Sequence, residues 1–347
     1  MVLMVPGAPP EARWRQAAPN LDWPLAVVER MVRTAFPRHR VLECRPLSNG
    51  LRNANLLLTL DSVAEPLVLR IYQHDPSLCQ KEVDLMRLVR PTVPVPEVIH
   101  ASPRGWEELP PFALLQFVEG ISLLDLKRRG DLEAFAQAAF SAGETLAAIG
   151  RFRFPKAGWL GPGPAVTAPL LEGADPLPRF VDLCLAAPNL ERRVPAELRD
   201  RIHKLVWPWA ARLASLDADP RLVHGDFSRR NLVARQVAGR WVVVAVLDWE
   251  FAIASSPLAD IENFLRYELD AHPLAEPHFS TGFTQAGGAL PEDWRRVGRL
   301  VGLTATCESL THDDLPEDIA TELVELVRAT VENREPRMSS PTGLAQA

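Results

Sequence analysis

The alternation of apolar and polar positions changes character once along the chain, near residue 120. Before that point, short strand-like runs are interleaved with two segments of helical period. Apolar positions at helical spacing over 22–36, with Asp22 at the start, predict a first helix. Residues 41–47, 54–60 and 67–72 read as strands, the first two joined by 48–53 (SNGLRN) and the next pair by a turn near Asp61. Helical period returns over 76–90, with Val83, Met86, Leu88 and Val89 marking the buried side. Two more strands are predicted at 97–101 and 112–117. This order suits a mostly antiparallel sheet with one helix packed on it.

After Gly120 helices dominate. Residues 131–151 and 195–216 read as long amphipathic helices, and others follow from Pro257. Asp131 suits a helix start, because its carboxylate can accept from the free N–H groups of the first turn. The stretch 154–178, rich in Gly and Pro, reads as a loop, and 222–249 as one strand–loop–strand block. The predicted architecture is α+β and two-lobed. An extension (1–20) precedes a small antiparallel-sheet N-lobe (21–117); a hinge near 116–120 leads to a larger, mainly helical C-lobe (118–335) and a polar tail (336–347). A cleft between two lobes is a natural ligand site.

Composition narrows the function classes. Lys+Arg 38 against Asp+Glu 44 gives a net charge of −6, which argues against a nucleic-acid partner. The longest apolar runs, such as 242–247, fall far short of the ~18 residues of a spanning helix. Glu11, Arg13 and Arg15 interrupt the first twenty residues, so neither a membrane span nor a secretory leader is expected. Cys44, Cys79, Cys184 and Cys307 show no paired spacing and predict reduced thiols in a cytoplasmic protein. The pattern carries no sign of oligomeric state.

The strongest chemical signal is LVHGDFSRRNLV, at 222–233. A short apolar run leads into His224, Gly225 and Asp226, and Asn231 follows at the start of the next run. A tight loop between two strands aims a carboxylate and a carboxamide into one space. Asp226 can accept a proton from a hydroxyl, while Asn231 offers a neutral oxygen to a hard cation. Seventeen positions on, VVVAVLDWE places Asp248 after a buried strand, with Glu250 two positions beyond. A carboxylate there can hold Mg²⁺ against phosphate oxygens. Chance supplies on the order of 10⁻³ copies of His-Gly-Asp with Asn five later in such a chain.

Over about residues 47–266 these motifs resemble the aminoglycoside phosphotransferase and choline kinase branch of the kinase-like fold, where His-Gly-Asp stands in place of the His-Arg-Asp of protein kinases. The resemblance implies a two-lobed protein-kinase-like fold, with Asp226 as catalytic base and Asn231 and Asp248 as Mg²⁺ ligands. It puts Glu250 where choline-kinase-like members carry a second acidic group, and gives His224 and Asp260 the part of bracing the loop. Ser48, Asn49 and Gly50, with Asn53 and Asn55, look like the phosphate-covering loop. An ordinary hairpin turn has the same composition.

PLVLRIY is the strand that places the phosphate-binding cation in this fold. Here it is Arg70, where protein kinases have Lys, and its flat fork needs different placement from an ammonium. Glu82, on the following helix, is the expected ion-pair partner, with Asp84 as competitor. The main chain at Gln116, Phe117 and Val118 is expected to meet the nucleotide base. Arg229 and Arg230 lie in the catalytic loop, where one of them, Arg230 in particular, is a candidate for the transferring phosphoryl group.

The implied reaction is transfer of the γ-phosphoryl group of ATP or GTP to a hydroxylated small molecule. Glu262, Glu268 and Asp270 are candidates for attracting an amine-bearing acceptor such as an aminoglycoside or an amino alcohol, although a charged helix face reads the same way. Trp207 and Trp209 suit a quaternary-ammonium cage less well than the core and flank of one helix. Neither Asp-Phe-Gly nor Ala-Pro-Glu occurs, which argues against a protein kinase. The alternative is a non-catalytic nucleotide-binding regulator that retains the fold. Arg70 favours it, and the intact Asp226, Asn231 and Asp248 oppose it.

Overall fold

The computed structural model describes residues 22–47, 53–73, 75–266, 268 and 274–332. Helix α1 (Leu25–Arg33) opens the small lobe, followed by strands β1 (Val41–Pro46), β2 (Ala54–Leu60) and β3 (Leu67–Ile71). Helix α2 (Leu78–Val89) and strands β4 (Val98–Ser102) and β5 (Phe112–Gln116) complete it. The strands form one antiparallel sheet in the order β1-β2-β3-β5-β4.

The pleat of that sheet sorts its side chains. Leu56, Leu58, Leu69, Ile71, Phe112 and Leu114 share a core with Val28, Met31 and Val32 of α1. Ala113 and Leu115 turn to the opposite core, with Cys79, Val83 and Met86 of α2. The sheet therefore carries a helix on each face, where the sequence pattern indicated one. Helix α1 starts after Pro24 rather than at Asp22, since proline presets the entry to a helix. Leu88, expected on the buried side of α2, is 38% exposed; Lys81 and Glu82 are buried instead.

The chain leaves the sheet at Gln116 and begins the large lobe with β6 (Ile121–Ser122), α3 (Leu123–Arg128) and α4 (Leu132–Ile149). Asp131 caps α4, accepting from the Ala134 N–H at 3.0 Å. Next come β7 (Gly158–Leu160), β8 (Val166–Ala168), α5 (Pro176–Leu185), α6 (Pro188–Arg193), α7 (Ala196–Val206) and α8 (Ala210–Ala214). Two expectations change here. The stretch read as a loop contains the β7–β8 hairpin and the start of α5. The single helix expected over 195–216 breaks at Trp207–Trp209, because Pro208 has no N–H to continue the ladder.

Strands β9 (Arg221–Val223), β10 (Leu232–Val237), β11 (Arg240–Val246) and β12 (Ile253–Ser255) frame the centre of the large lobe. Helices α9 (Leu258–Leu265), α10 (His278–Gln285), α11 (Trp294–Leu310) and α12 (Glu317–Val331) follow. β12 pairs with both β9 and β7, and β10 with both β11 and β6. The β6–β10 pairing anchors the crossing between lobes at Gly120, where a Cβ would stand 2.6 Å from the Ala234 carbonyl oxygen. Among the described residues no helix is long and apolar enough to cross a membrane. All four cysteines are free thiols.

Candidate active site

β9 delivers the chain into His224, Gly225 and Asp226. Gly225 lies at φ +83°, and a Cβ there would stand 2.2 Å from the Phe251 carbonyl oxygen, so only glycine lets the two loops meet. The fully buried Asp260 carboxylate, in the first turn of α9, accepts from the main-chain N–H groups of His224 (2.6 Å) and Gly225 (2.9 Å). Burial pushes that carboxyl up to about 7, while the two N–H groups favour its anion.

His224 is equally committed. Its Nε2–H donates to the Leu247 carbonyl at 3.0 Å, and its Nδ1 accepts from the Asp226 N–H at 3.2 Å. Burial holds the imidazole pKa below its ordinary value, with the neighbouring carboxylates Asp226 and Asp248 opposing. With both nitrogens occupied, His224 ties the Asp226 loop to the strand end before Asp248 and keeps no lone pair for a substrate proton.

Two amides orient the Asp226 carboxylate. Asn231 Nδ2 donates to Asp226 Oδ2 at 2.8 Å and to its carbonyl at 3.0 Å. Asn263 Nδ2 reaches Asp226 Oδ1 at 3.3 Å. The Asn231 carbonyl accepts from the Leu247 N–H at 2.8 Å, which brings the Asp226 loop beside Asp248. Sequence reasoning missed Asn263, although it stands three positions after Asp260 and so on the same helix face.

Asp248 lies in the left-handed region at φ +68°, a conformation that Asp tolerates better than most residues. The turn aims its carboxylate at the small lobe, where Asp248 Oδ1 accepts from Arg70 Nη2 at 2.5 Å. The same Nη2 donates to Glu82 Oε1 at 2.8 Å, and the Tyr72 hydroxyl donates to Glu82 Oε2 at 2.8 Å. Burial pushes the Glu82 carboxyl up, against the pull of Arg70. Of the two expected partners for Arg70, Glu82 makes the pair. Asp84 instead accepts from Gln80 Nε2 (2.7 Å) and the Gly163 N–H (2.8 Å).

Glu82, Asp248 and Glu250 each bring a carboxylate oxygen within 4.8 Å of the others. Asn53 Nδ2 donates to Glu250 Oε2 at 3.2 Å, while its buried Oδ1 has no partner among the described residues. Hard oxygens of this kind fit Mg²⁺. Asn231 adds an amide oxygen, its Nδ2 being committed to Asp226. Sequence reasoning also missed Lys81, a buried ammonium that donates to the Glu250 carbonyl at 2.7 Å. Burial lowers it to about 8, with Glu82, Glu250 and Asp75 opposing.

Other expectations are redistributed. Arg229 is buried and ion-paired with Glu268 Oε1, with its guanidinium over the Phe264 ring at 5.0 Å. Arg230 is exposed, so of the two only Arg230 has a solvent-facing head. Glu268 is not an acceptor contact: Lys127 Nζ also reaches its Oε1 (3.2 Å), and Oε2 accepts from the Ala275 N–H at 2.5 Å. Glu262 packs across Gly298 and Gly302 of α11, and burial pushes its carboxyl to about 7 against Arg266 and Arg299. Gln116, the last residue of β5, and Phe117, just beyond it, spend their N–H groups on the Glu97 and Pro66 carbonyls, and Val118 follows. The Trp207 indole N–H donates to Asp182 at 2.9 Å, and Trp209 packs against the core of the large lobe. Ser48, Asn49 and Gly50 of the expected phosphate loop, Asp270 of the acidic set, the extension 1–20 and the tail 336–347 lie outside the described residues. An apolar cavity of about 100 Å³ near Leu177, Leu213, Ala259 and Val301 holds none of the groups above.

Removing Glu268 would leave the buried Arg229 and the part-buried Lys127 without their carboxylate. Glu268→Ala is expected to cost about 3–5 kcal/mol of stability, read as a lower urea midpoint. A wild-type midpoint would contradict the burial of this network.

A family model described as "Phosphotransferase enzyme family" matches residues 43–300. No curated protein matches the sequence. Among solved structures, the GDP complex of wild-type aminoglycoside 2'-phosphotransferase-IIIa is similar with TM-score 0.65 at 17% identity, over 90% of this chain and 99% of that one. A thermostable mutant of aminoglycoside phosphotransferase APH(4)-Ia, in ternary complex with ADP and hygromycin B, gives 0.58 at 21%, over 88% and 98%. Choline kinase LicA from Streptococcus pneumoniae gives 0.55 at 12%, over 88% and 99%. The fold is thus kinase-like, as the motifs implied.

Proposed function

The chain belongs to the phosphotransferase enzyme family, and from that premise we propose that it moves the γ-phosphoryl group of ATP or GTP to a hydroxyl of a small molecule. One observation carries the reading: Asp226, Asn231 and Asp248 are knitted into one space by the Asn231–Asp226 bond at 2.8 Å and the Leu247–Asn231 main-chain bond at 2.8 Å.

Of the two carboxylates in that group, Asp248 is engaged by the Arg70 cation, whereas Asp226 accepts, among the described residues, from the neutral side-chain amides of Asn231 and Asn263, and we assign it the acceptor's proton. Oriented by Asn231 and Asn263, it receives the acceptor's hydroxyl proton as the new O–P bond forms and the bond to the β-phosphate oxygen breaks. Arg70, already beside Asp248, offers a guanidinium to the phosphate chain, with Glu82 and Tyr72 fixing its angle. Asn231 and Asp248, with Glu250 adjacent, would hold Mg²⁺, which neutralises phosphate charge when bound. The protein's part is positioning and charge compensation, as this chemistry requires.

A thermal-shift comparison tests the reading. At least one of Mg·ATP and Mg·GTP is expected to raise Tm in proportion to RT ln(1 + [L]/Kd). No shift with either nucleotide would overturn it. Arg70 in place of Lys favours a second reading, a nucleotide-binding regulator. That reading predicts the same shift without γ-phosphoryl transfer to any acceptor.

A further inference from the structure

Resting on the phosphotransferase reading, we propose that Lys81 is a positioning residue: it fastens the turn that carries Asp248 and Glu250 to helix α2 of the small lobe. The proposed reaction assigns this side chain no part, yet it is 5% exposed and carries an ammonium. Burying such a charge costs several kcal/mol unless it is compensated. Its bond is to the main chain, at the Glu250 carbonyl (2.7 Å), within the single turn Trp249–Phe251 that follows Asp248 directly.

The rest of that turn is held mostly by the large lobe. The Trp249 indole N–H donates to the Val246 carbonyl at 3.2 Å, and its ring meets His224 edge-on at 4.6 Å. From the small lobe, Asn53 reaches the Glu250 carboxylate and Lys81 the backbone. Consecutive residues of α2 therefore act on both sides of the turn. Glu82 fixes Arg70, which meets Asp248, and Lys81 fixes the chain two positions later. A neutral donor would suffice for the hydrogen bond alone. The ammonium also counters Glu82 and Glu250, two of the three carboxylates that share one small space beside Arg70.

Lys81→Met keeps the length and apolar stem while removing donor and charge. The expected result has three parts. Tm of the free protein falls, because the Glu250 carbonyl loses this donor and Glu82 and Glu250 lose a neighbouring cation. The extra Tm gain that Mg²⁺ adds to nucleotide falls by more than half. Turnover drops at least about tenfold with nucleotide KM changed less than about threefold, and Lys81→Arg recovers part of both losses. A purely electrostatic role would instead enlarge the Mg²⁺ increment, since a competing cation is gone. A merely structural role would lower Tm as well but leave the increment and turnover intact. Either result overturns the proposal. Should the Met variant not fold, Lys81→Gln decides on the same measures. A wild-type protein without any Mg²⁺-dependent increment would count against the phosphotransferase reading itself, whereas a normal wild type with an unaffected Lys81→Met would sink only this inference.

Discussion

Asp226→Asn is expected to lower turnover by about 10²–10⁴-fold, the range that general-base catalysis supplies, with nucleotide affinity nearly unchanged. The carboxylate is the proton acceptor in the proposed transfer, and a carboxamide of the same shape cannot take that proton. The surroundings sharpen the expectation. Asn231 and Asn263 both direct N–H groups at Asp226 oxygens. A carboxamide at 226 would turn one N–H toward another donor and lose at least one of these bonds, so the loop would loosen as well as lose its base. Asp226→Ala separates the two effects: it removes the base without creating the donor–donor conflict. Single-turnover rates with titrated nucleotide measure both quantities. Turnover near wild type in either variant would remove Asp226 from the chemistry.

Asp248→Ala is expected to be comparably damaging, and in a different way. Without this carboxylate the Mg²⁺-dependent part of nucleotide affinity should disappear, and turnover with it, by about 10³-fold or more if charge stabilisation dominates the barrier. Affinity measured without Mg²⁺ should hold or improve slightly. Arg70 keeps its Glu82 partner at 2.8 Å but is released from Asp248 and is freer to meet phosphate. Calorimetric titration with and without Mg²⁺ reads this contrast. A variant whose nucleotide affinity still rises with Mg²⁺ as in wild type would contradict the metal role of Asp248.

Much of this site was legible because its chemistry is local in sequence. Asp226 and Asn231 lie on one short loop, and the apolar run of β11 announces Asp248. The strands were legible for a similar reason, since a sheet with a helix packed on each face leaves short, nearly continuous apolar runs. What escaped depends on distant partners. The β7–β8 hairpin looks like a loop by composition and is held by pairing with β12, almost a hundred positions later. Glu268 resembles an acceptor contact until Arg229 and Lys127 are seen to neutralise it. Lys81 reads as a solvated helix residue, because nothing local says that a main-chain carbonyl of the other lobe waits for it. The break at Pro208 was legible in principle, but the apolar residues on either side kept the helical period intact.

The most direct test of the account follows the γ-phosphoryl group itself. Nucleotide labelled at the γ-phosphate is incubated with Mg²⁺, the wild-type protein and a panel of hydroxylated small molecules, amine-bearing alcohols and aminoglycosides among them. The account predicts a labelled phosphomonoester from at least one acceptor with wild type, and almost none with Asp226→Asn. No transfer to any acceptor by wild type, or equal transfer by the variant, would contradict it.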